Sequence, residues 1–476
     1  MSSKPLLKSD VAIIGGGVTG LWLQNRLAQK GYQTVLCEAR ALGGGQTLAS
    51  QGIIHGGIKY ALGGSLTDAS ETIAAMPERW SACLAGEGEL DLRSVRVLSE
   101  SCYLWSNQGL GRLASLFASK LLRGRVAAVP RPDFPPFFDH LAFKGSLYRL
   151  HESVLDVASL LKVLATPFQN RLILSEVRPD NLLPNPDGSI DRLQLDSCDI
   201  EAETYIFAAG AGNEALIEKL PSPARPLPSM QRRPLQQIVV NLRNVRGIRD
   251  ISQTLIYGHY LSGLDSGGPR LTLTSHCRDT RTHTDGASTC WYLGGQLASE
   301  GAALASDVLI ERARRELARA LPWFDLGGAE YQTYRVDRAE PGGIPPHRSR
   351  PRRHSQAKTQ KRTQGVTEME TEIETEIETE IETEIEASTQ AATDSPPISA
   401  DSLKRPQDAW VSRHANVVIC WPTKLALVPR LGDLVMAEMT QTPNGSKRAD
   451  ARAQMSRSTS QLIFAAPPWD ALHGHR

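Results

Sequence analysis

Six residues near the N-terminus constrain this chain more than any other feature: Gly15, Gly16, Gly17, Val18, Thr19 and Gly20 spell G-x-G-x-x-G. Alone the pattern is weak. Here an apolar run at residues 10–14 precedes it, and Leu21, Trp22, Leu23, Leu27 and Ala28 recur after it at helical spacing until Gly31. Residues 34–38, Thr-Val-Leu-Cys-Glu, then read as a second strand, ending in an acid 18 residues after Gly20. Such a unit predicts parallel strands joined by a right-handed crossover helix. Gly15 permits a tight turn, Gly17 lets a pyrophosphate reach bare backbone, and Gly20 lets the helix pack on the strand. The unpaired N–H groups and dipole at the helix start, around Val18 and Thr19, favour phosphate charge. Glu38, with Ala39 and Arg40 after it, ends the strand where ribose hydroxyls lie. Its carboxylate accepts their hydrogen bonds and repels a 2′-phosphate, which argues against NADP.

The fold class expected is α/β: a Rossmann-like FAD/NAD(P)-binding domain with an α+β, mixed-sheet substrate domain. A chain of 476 residues suggests two or three units. Residues 68–170 read as mostly helical, with a proline-rich break at 129–138. Residues 190–195 and 204–208 are strand-like. Apolar runs broken by turn residues between 226 and 300, such as 237–242 and 270–275, suggest the mixed sheet, and 307–321 a helix ended by Pro322. Residues 348–362 are basic, and 367–386 are five tandem Thr-Glu-X-Glu units. A period of four drifts around a 3.6-residue helix, and glutamates at i,i+4 repel. The reading is a disordered acidic insertion across 350–405, with an interaction tail as the alternative.

Composition excludes some classes. Net charge is +1, so no whole-chain field points to nucleic acid. No run of about 18 apolar residues occurs, so no transmembrane segment is expected. The N-terminus lacks a secretory h-region, and seven scattered cysteines form no CxxC, which together suggest a reduced, cytoplasmic protein. No histidine has metal-ligand spacing with Cys or Asp, so no metal is expected.

Residues 43–60 carry a resemblance. Within them Thr47, Ser50, Gln51, Gly52, His55 and Lys59 stand in Ser-Gln-Gly-Ile-Ile-His-Gly-Gly-Ile-Lys-Tyr and the glycine-rich stretch before it. This is similar to the flavin-contacting segment of the D-amino-acid-oxidase-like (DAO) superfamily of FAD-dependent oxidoreductases. The closest branch holds glycerol-3-phosphate and L-2-hydroxyglutarate dehydrogenases. Residues 151–161 resemble that family's helix start returning to the FAD domain. Residues 202–216, with Ala209 and Gly210, resemble the strand and turn that pass the cofactor. Residues 417–436, with Lys424, resemble the segment beside the isoalloxazine ring, although Cys-Trp-Pro-Thr-Lys replaces the usual glycines. The glycerol-3-phosphate branch carries arginine where Lys59 stands. Gly343 lies in a glycine pair placed near the flavin in relatives.

The resemblance implies FAD as cofactor. It implies a discontinuous FAD-binding domain from 1–80, 151–225 and 326–440, a substrate or cap domain from 81–150 and 226–325, and a peripheral tail at 441–476. No second glycine fingerprint with strand and helix context occurs, which disfavours a further pyridine-nucleotide domain. The activity implied is oxidation of a small hydroxy acid, amino acid or polyol phosphate by hydride transfer to flavin N5. A base must take the heteroatom's proton, and positive charge near N1 stabilises the reduced ring. His55 is the candidate base, or merely packs on the flavin. Lys59 and Arg335 are candidates for an anionic group of a small-molecule substrate, or are surface or salt-bridged residues. Lys424 is the candidate cation near N1. Tyr257, His259 and His276 read more as core residues than as ligands. The electron acceptor is not identified by sequence. An NAD-linked dehydrogenase and a flavin-binding scaffold without turnover are the alternatives.

Overall fold

The structure is a computed structural model describing residues 4–57, 68–107, 126–221, 227–247, 250–262, 268–277, 289–342, 408–440, 442–443 and 462–471. The elements below belong to the unit formed by residues 1–344 and 406–476. Lys59, Gly343 and the insertion at 350–405 lie outside the described residues.

The first sheet grows from the opening strand. Val11, Ala12, Ile13 and Ile14 are all buried, the continuous apolar run of a strand covered on both faces. Its strand order is Trp410–His414, Val417–Trp421, Asp199–Phe207, Leu6–Ile14, Thr34–Glu38 and Leu172–Leu174. From Val417–Trp421 to Leu172–Leu174 every neighbour is parallel. The glycine turn follows Leu6–Ile14 and leads into the helix Val18–Gln29. The helix ends just before Gly31, which has φ +92°.

One face of this sheet packs Val11 and Ile13 against Leu21, Trp22, Leu160 and Leu431, from the helices Val18–Gln29, Val157–Ala165 and Val428–Glu438. The Trp22 and Trp80 rings meet at 5.0 Å, and Trp80 Nε1 donates to Ala426 O. Ala12, Ile14 and Val35 face the other core with Ile200 and Leu216.

The second sheet has the order Glu330–Gly342, Ser229–Asn241, Thr289–Gly294, Leu271–Cys277, Tyr257–Tyr260, Cys102–Ser106, Ser146–Leu150 and Val126–Ala128. All its pairings are antiparallel except Tyr257–Tyr260 with Cys102–Ser106. Period-two alternation gives it two unlike faces. Ile238, Val240, Leu273, Trp291 and Leu293 pack with Leu309 and Leu317 of the amphipathic helix Ser306–Ala320. Gln237, His259, Thr272, Thr274 and Tyr292 alternate with them and share the opposite face.

Three expectations are corrected. Residues 68–170 are not mostly helical. After the helices Asp68–Ala74 and Met76–Ala85 come the strands Val97–Ser99, Cys102–Ser106, Val126–Ala128, Ser146–Leu150 and Val154–Leu155. These strands are five residues or fewer, and Cys102–Ser106 finds one partner at Tyr257–Tyr260, far along the chain. Local periodicity carries no trace of such a pairing. Second, Glu330–Gly342 runs beside Ser229–Asn241 over its whole length and so edges the second sheet, not the first. Third, the tail is not peripheral throughout. Leu42 N donates to Ile463 O, Ala465 N donates to Leu42 O, and Trp469 is buried. Among the described residues no helix is long and apolar enough to cross a membrane.

Backbone packs tightly on backbone inside the glycine turn. A Cβ on Gly20 would sit 1.9 Å from Gly15 O, where only backbone movement relieves the clash. Gly20→Ala is therefore expected to destabilise the fold by about 3 kcal/mol or more. Urea unfolding monitored by tryptophan fluorescence checks this, and an unchanged midpoint refutes it.

Candidate functional site

The parallel strands end together. Gly15 N donates to Cys37 O and Ala208 N donates to Ile14 O, so three strand ends converge on the glycine turn. Gly15 has φ +113°, and a Cβ there would lie 2.5 Å from Ala208 O. Ligands of parallel α/β sheets bind outside such carboxyl ends. The Glu38 carboxylate joins the strand end to the turn: Oε2 accepts from Gly16 N at 2.7 Å and Oε1 from Arg40 N at 3.1 Å. Each oxygen keeps a further lone pair for a ribose hydroxyl. Ala39 and Arg40 are exposed beside it.

The loop at 43–52 folds back over the helix start. Gly43 N donates to Gly16 O, and Thr47 Oγ1 accepts from Val18 N at 3.1 Å. Ser50 Oγ donates to Thr47 O. Thr47 Oγ1 is also the one atom within 4 Å of a Cβ built on Gly17, at 3.1 Å. An alanine at Gly17 would thus push into the space above the first turn. A helix dipole and bare backbone at the turn fit a dinucleotide pyrophosphate. Thr19 and Gly20 are buried beneath.

Across the crevice stands the turn after Asp199–Phe207. Asn213, fully buried, fixes it: Oδ1 accepts from Ala209 N, while Nδ2 donates to Phe207 O and Cys420 O. Trp421 Nε1 donates to Gly210 O. Lys424, half-buried, follows the end of Val417–Trp421. Its neighbour Thr423 has φ +60°, a strained conformation for a β-branched residue. Thr423 Oγ1 donates to Asp408 O.

Beyond Thr47 the loop reaches the second sheet. Gln51 Nε2 donates to both Thr272 O and Tyr292 O at 2.9 Å, and Tyr292 OH donates to Gln237 Oε1 at 2.7 Å, with Ala49 O 3.2 Å from the same hydroxyl. Ile53 then bridges Val154, and Leu155 N donates to Gly52 O. This brings His55 to Glu152. His55 Nδ1 lies 3.7 Å from Glu152 Oε2, while Glu152 Oε1 accepts from Gly56 N at 2.6 Å. His259 approaches from the second sheet, its ring stacked on His55 at 5.8 Å with 28° between planes. Its Nδ1 is 3.0 Å from Thr272 Oγ1. Glu152 and His259 are each 3% exposed. The side-chain polar atoms of the three residues lie within 4.8 Å of one another.

Sequence spacing missed this cluster because its members are scattered along the chain. No motif marks Glu152, and His259 has the sequence setting of a core residue. Arg335 stands on the other face of the second sheet. It pairs in register with Gln236 on the face carrying Ser306, is exposed, and donates to Leu304 O. Arg338, three residues on, lies on the opposite face and acts electrostatically on the Tyr292 hydroxyl, whose pKa burial raises. The lesson is one of strand parity, which the sequence did not resolve.

His276 stands on the same face as Tyr292 and stacks on Trp469 of the tail, ring centroids 3.6 Å apart. The tail residues 462–471 therefore hold both Leu42, at the start of the glycine loop, and the second sheet.

A parallel sheet with a glycine-turn crevice at its carboxyl ends faces a mixed sheet that carries the His259 side of a histidine–carboxylate cluster. The family model described as FAD dependent oxidoreductase (DAO) matches residues 10–322. A Pseudomonas aeruginosa protein, probable FAD-dependent oxidoreductase PA4991, is 39% identical over 467 residues, 98% of each chain. The crystal structure of that oxidoreductase superposes with TM-score 0.67 at 32% identity, covering 100% of both chains. Glycine oxidase from Geobacillus kaustophilus shares the fold, with TM-score 0.52 and 14% identity over 94% of this chain and 98% of its own. One subunit of the anaerobic glycerol-3-phosphate dehydrogenase of Escherichia coli K12 is 33% identical over 197 residues, 41% of this chain and 28% of its own. The chain belongs to the DAO family of FAD-dependent oxidoreductases, and its cofactor is FAD.

Two outcomes follow from the tail and its histidine. Burial lowers the His276 pKa from 6.5 to about 3, so the folded protein keeps it neutral while the unfolded chain protonates. Its contribution is complete above pH 6.5 and is lost as pH falls towards 3. The slope is up to about 1.4 kcal/mol per pH unit. Unfolding midpoints measured from pH 7 to about pH 5 should fall more steeply for the wild type than for His276→Phe. A chain ending at residue 461 should release FAD more readily, with Kd raised about tenfold. Ultrafiltration with flavin fluorescence of the filtrate measures this, and unchanged retention refutes the tail's role.

Proposed function

We propose that this enzyme oxidises a small hydroxy acid, amino acid or polyol phosphate. In this reading the parallel sheet holds the cofactor and the mixed sheet walls the substrate chamber. The observation that carries it is the placement of His55 between the cofactor loop and the His259 face of the second sheet. Bound FAD supplies a two-electron acceptor that takes a hydride equivalent at N5.

The chain's own residues do the rest. Gly17, Val18 and Thr47 seat the pyrophosphate, and Glu38 binds the ribose. Lys424 supplies positive charge on the far side of the crevice. His55 removes the proton from the substrate hydroxyl or amine. It is 34% exposed, so a substrate can reach it. Lys59, on the same segment, and Arg338 supply the charge that favours an anionic substrate. Arg338 rather than Arg335 stands on the face of Tyr292.

The test is anaerobic reduction of the FAD holoenzyme by a panel of 2-hydroxy acids, amino acids and polyol phosphates, followed at the flavin absorbance. Reoxidation by air, a quinone or a protein carrier then separates the possible acceptors. His55→Asn should retain FAD yet lower the limiting rate of reduction by about 10² to 10⁴, the range for a lost general base. Reduction at the wild-type rate in that variant removes His55 from the role.

A further inference from the structure

We infer that Glu152 is the positioning residue for His55: it selects the imidazole tautomer and steadies the charge that His55 gains when it takes the substrate proton. The inference rests on the reading of His55 as the base.

Glu152 is a buried carboxylate, costly to hold unless its charge is met. Oε1 is met by the Gly56 N–H at 2.6 Å, a backbone group one residue beyond His55. Oε2 faces Nδ1 of His55 at 3.7 Å, within ion-pair reach and a little beyond hydrogen-bond length. One side chain thus holds the backbone that carries the base and faces the ring itself. The Glu152 charge is felt on its other side too, where with burial it raises the Cys102 thiol.

A carboxylate beside Nδ1 favours the tautomer with its proton on that nitrogen. Nε2 then keeps its lone pair and is the atom that can accept. The same logic orients the histidine of hydrolytic triads. The ring is also confined in plane. His259 stacks on it, and the Nδ1 of His259 is itself engaged with Thr272 Oγ1. When the substrate is oxidised, its carbon gives up a hydride equivalent to the bound FAD. Its heteroatom gives up a proton to His55 Nε2, and the imidazolium formed lies against the Glu152 anion. Electrons and proton are both accounted for, and no further co-reactant is required.

The experiment uses the FAD holoenzyme in two arms. In the first, histidine ring nitrogens are labelled with 15N and read by long-range proton–nitrogen correlation at a pH where imidazoles are neutral, without substrate. His55, assigned by its loss in His55→Asn, should carry its proton on Nδ1. Glu152→Gln keeps an acceptor for Gly56 N–H but removes the charge, and should abolish that preference. Glu152→Asp keeps the charge and should restore it at least in part. The same tautomer in wild type and Glu152→Gln overturns the inference.

In the second arm, anaerobic reduction uses the panel member that reduces the wild type fastest. Glu152→Gln should slow the limiting rate about 10- to 100-fold, part of what a general base contributes, with substrate Kd changed less than about threefold. In a His55→Asn background the same substitution should add nothing. Multiplying losses in the double variant mean that Glu152 acts apart from His55, and overturn the inference. Slow His55→Asn with normal Glu152→Gln overturns it while leaving the base in place. Normal reduction in His55→Asn shows instead that the underlying reading has failed.

Discussion

The crossing of backbone on backbone inside the glycine turn is the constraint on which the rest of the structure depends. Gly15 O occupies the place where a Gly20 Cβ would be, and Ala208 O crowds Gly15 from the next strand. That contact brings the ends of three parallel strands and one helix start to a single point. The helix start and its dipole then face the crevice, with Val18 N held by Thr47 Oγ1. Any side chain at either glycine would separate these parts, and the phosphate seat with them.

A single loop carries this geometry across to the second sheet. Between Gly43 and Gly57 the chain bonds first to the turn through Thr47, then to the mixed sheet through Gln51, then to Glu152 through Gly56. The cofactor seat and the candidate base are thereby coupled within about a dozen residues of chain, each extended residue spanning at most about 3.5 Å. The tail reinforces the same loop at Leu42 and clamps the second sheet through Trp469 on His276. Stacking against a neutral, buried imidazole holds two distant chain segments together without placing another charge near the site.

In the proposed reading the chemistry is concentrated where the two sheets face one another. The parallel sheet contributes apolar walls and the proposed phosphate seat, neither of which discriminates among substrates. The mixed sheet contributes Tyr292, His259 and Arg338 on its inner face. Glu152 sits between them, at the end of one strand and before the next. A buried acid in that position is tolerated because a backbone amide and an imidazole share its charge.

Much was legible locally. The strand, glycine turn, helix and second strand follow from apolar spacing and from glycines whose lack of Cβ is itself the signal, and Glu38 ends the second strand as expected. Asp156 caps the helix Val157–Ala165 through Ala158 N and Ser159 N, a short-range event. The strands between 97 and 155 were hidden because a five-residue segment becomes a strand only when a distant partner arrives. Arg335 misled because one residue of register decides which face a side chain takes, and nothing in the residue's neighbours sets that parity. By itself the sequence determined the strand, glycine turn, helix and second strand, since these rest on backbone conformation over about thirty consecutive residues. Only the tertiary structure decided that His55, Glu152 and His259 meet, because a charge cluster drawn from three separate segments exists only once both sheets have folded and closed on the loop between them.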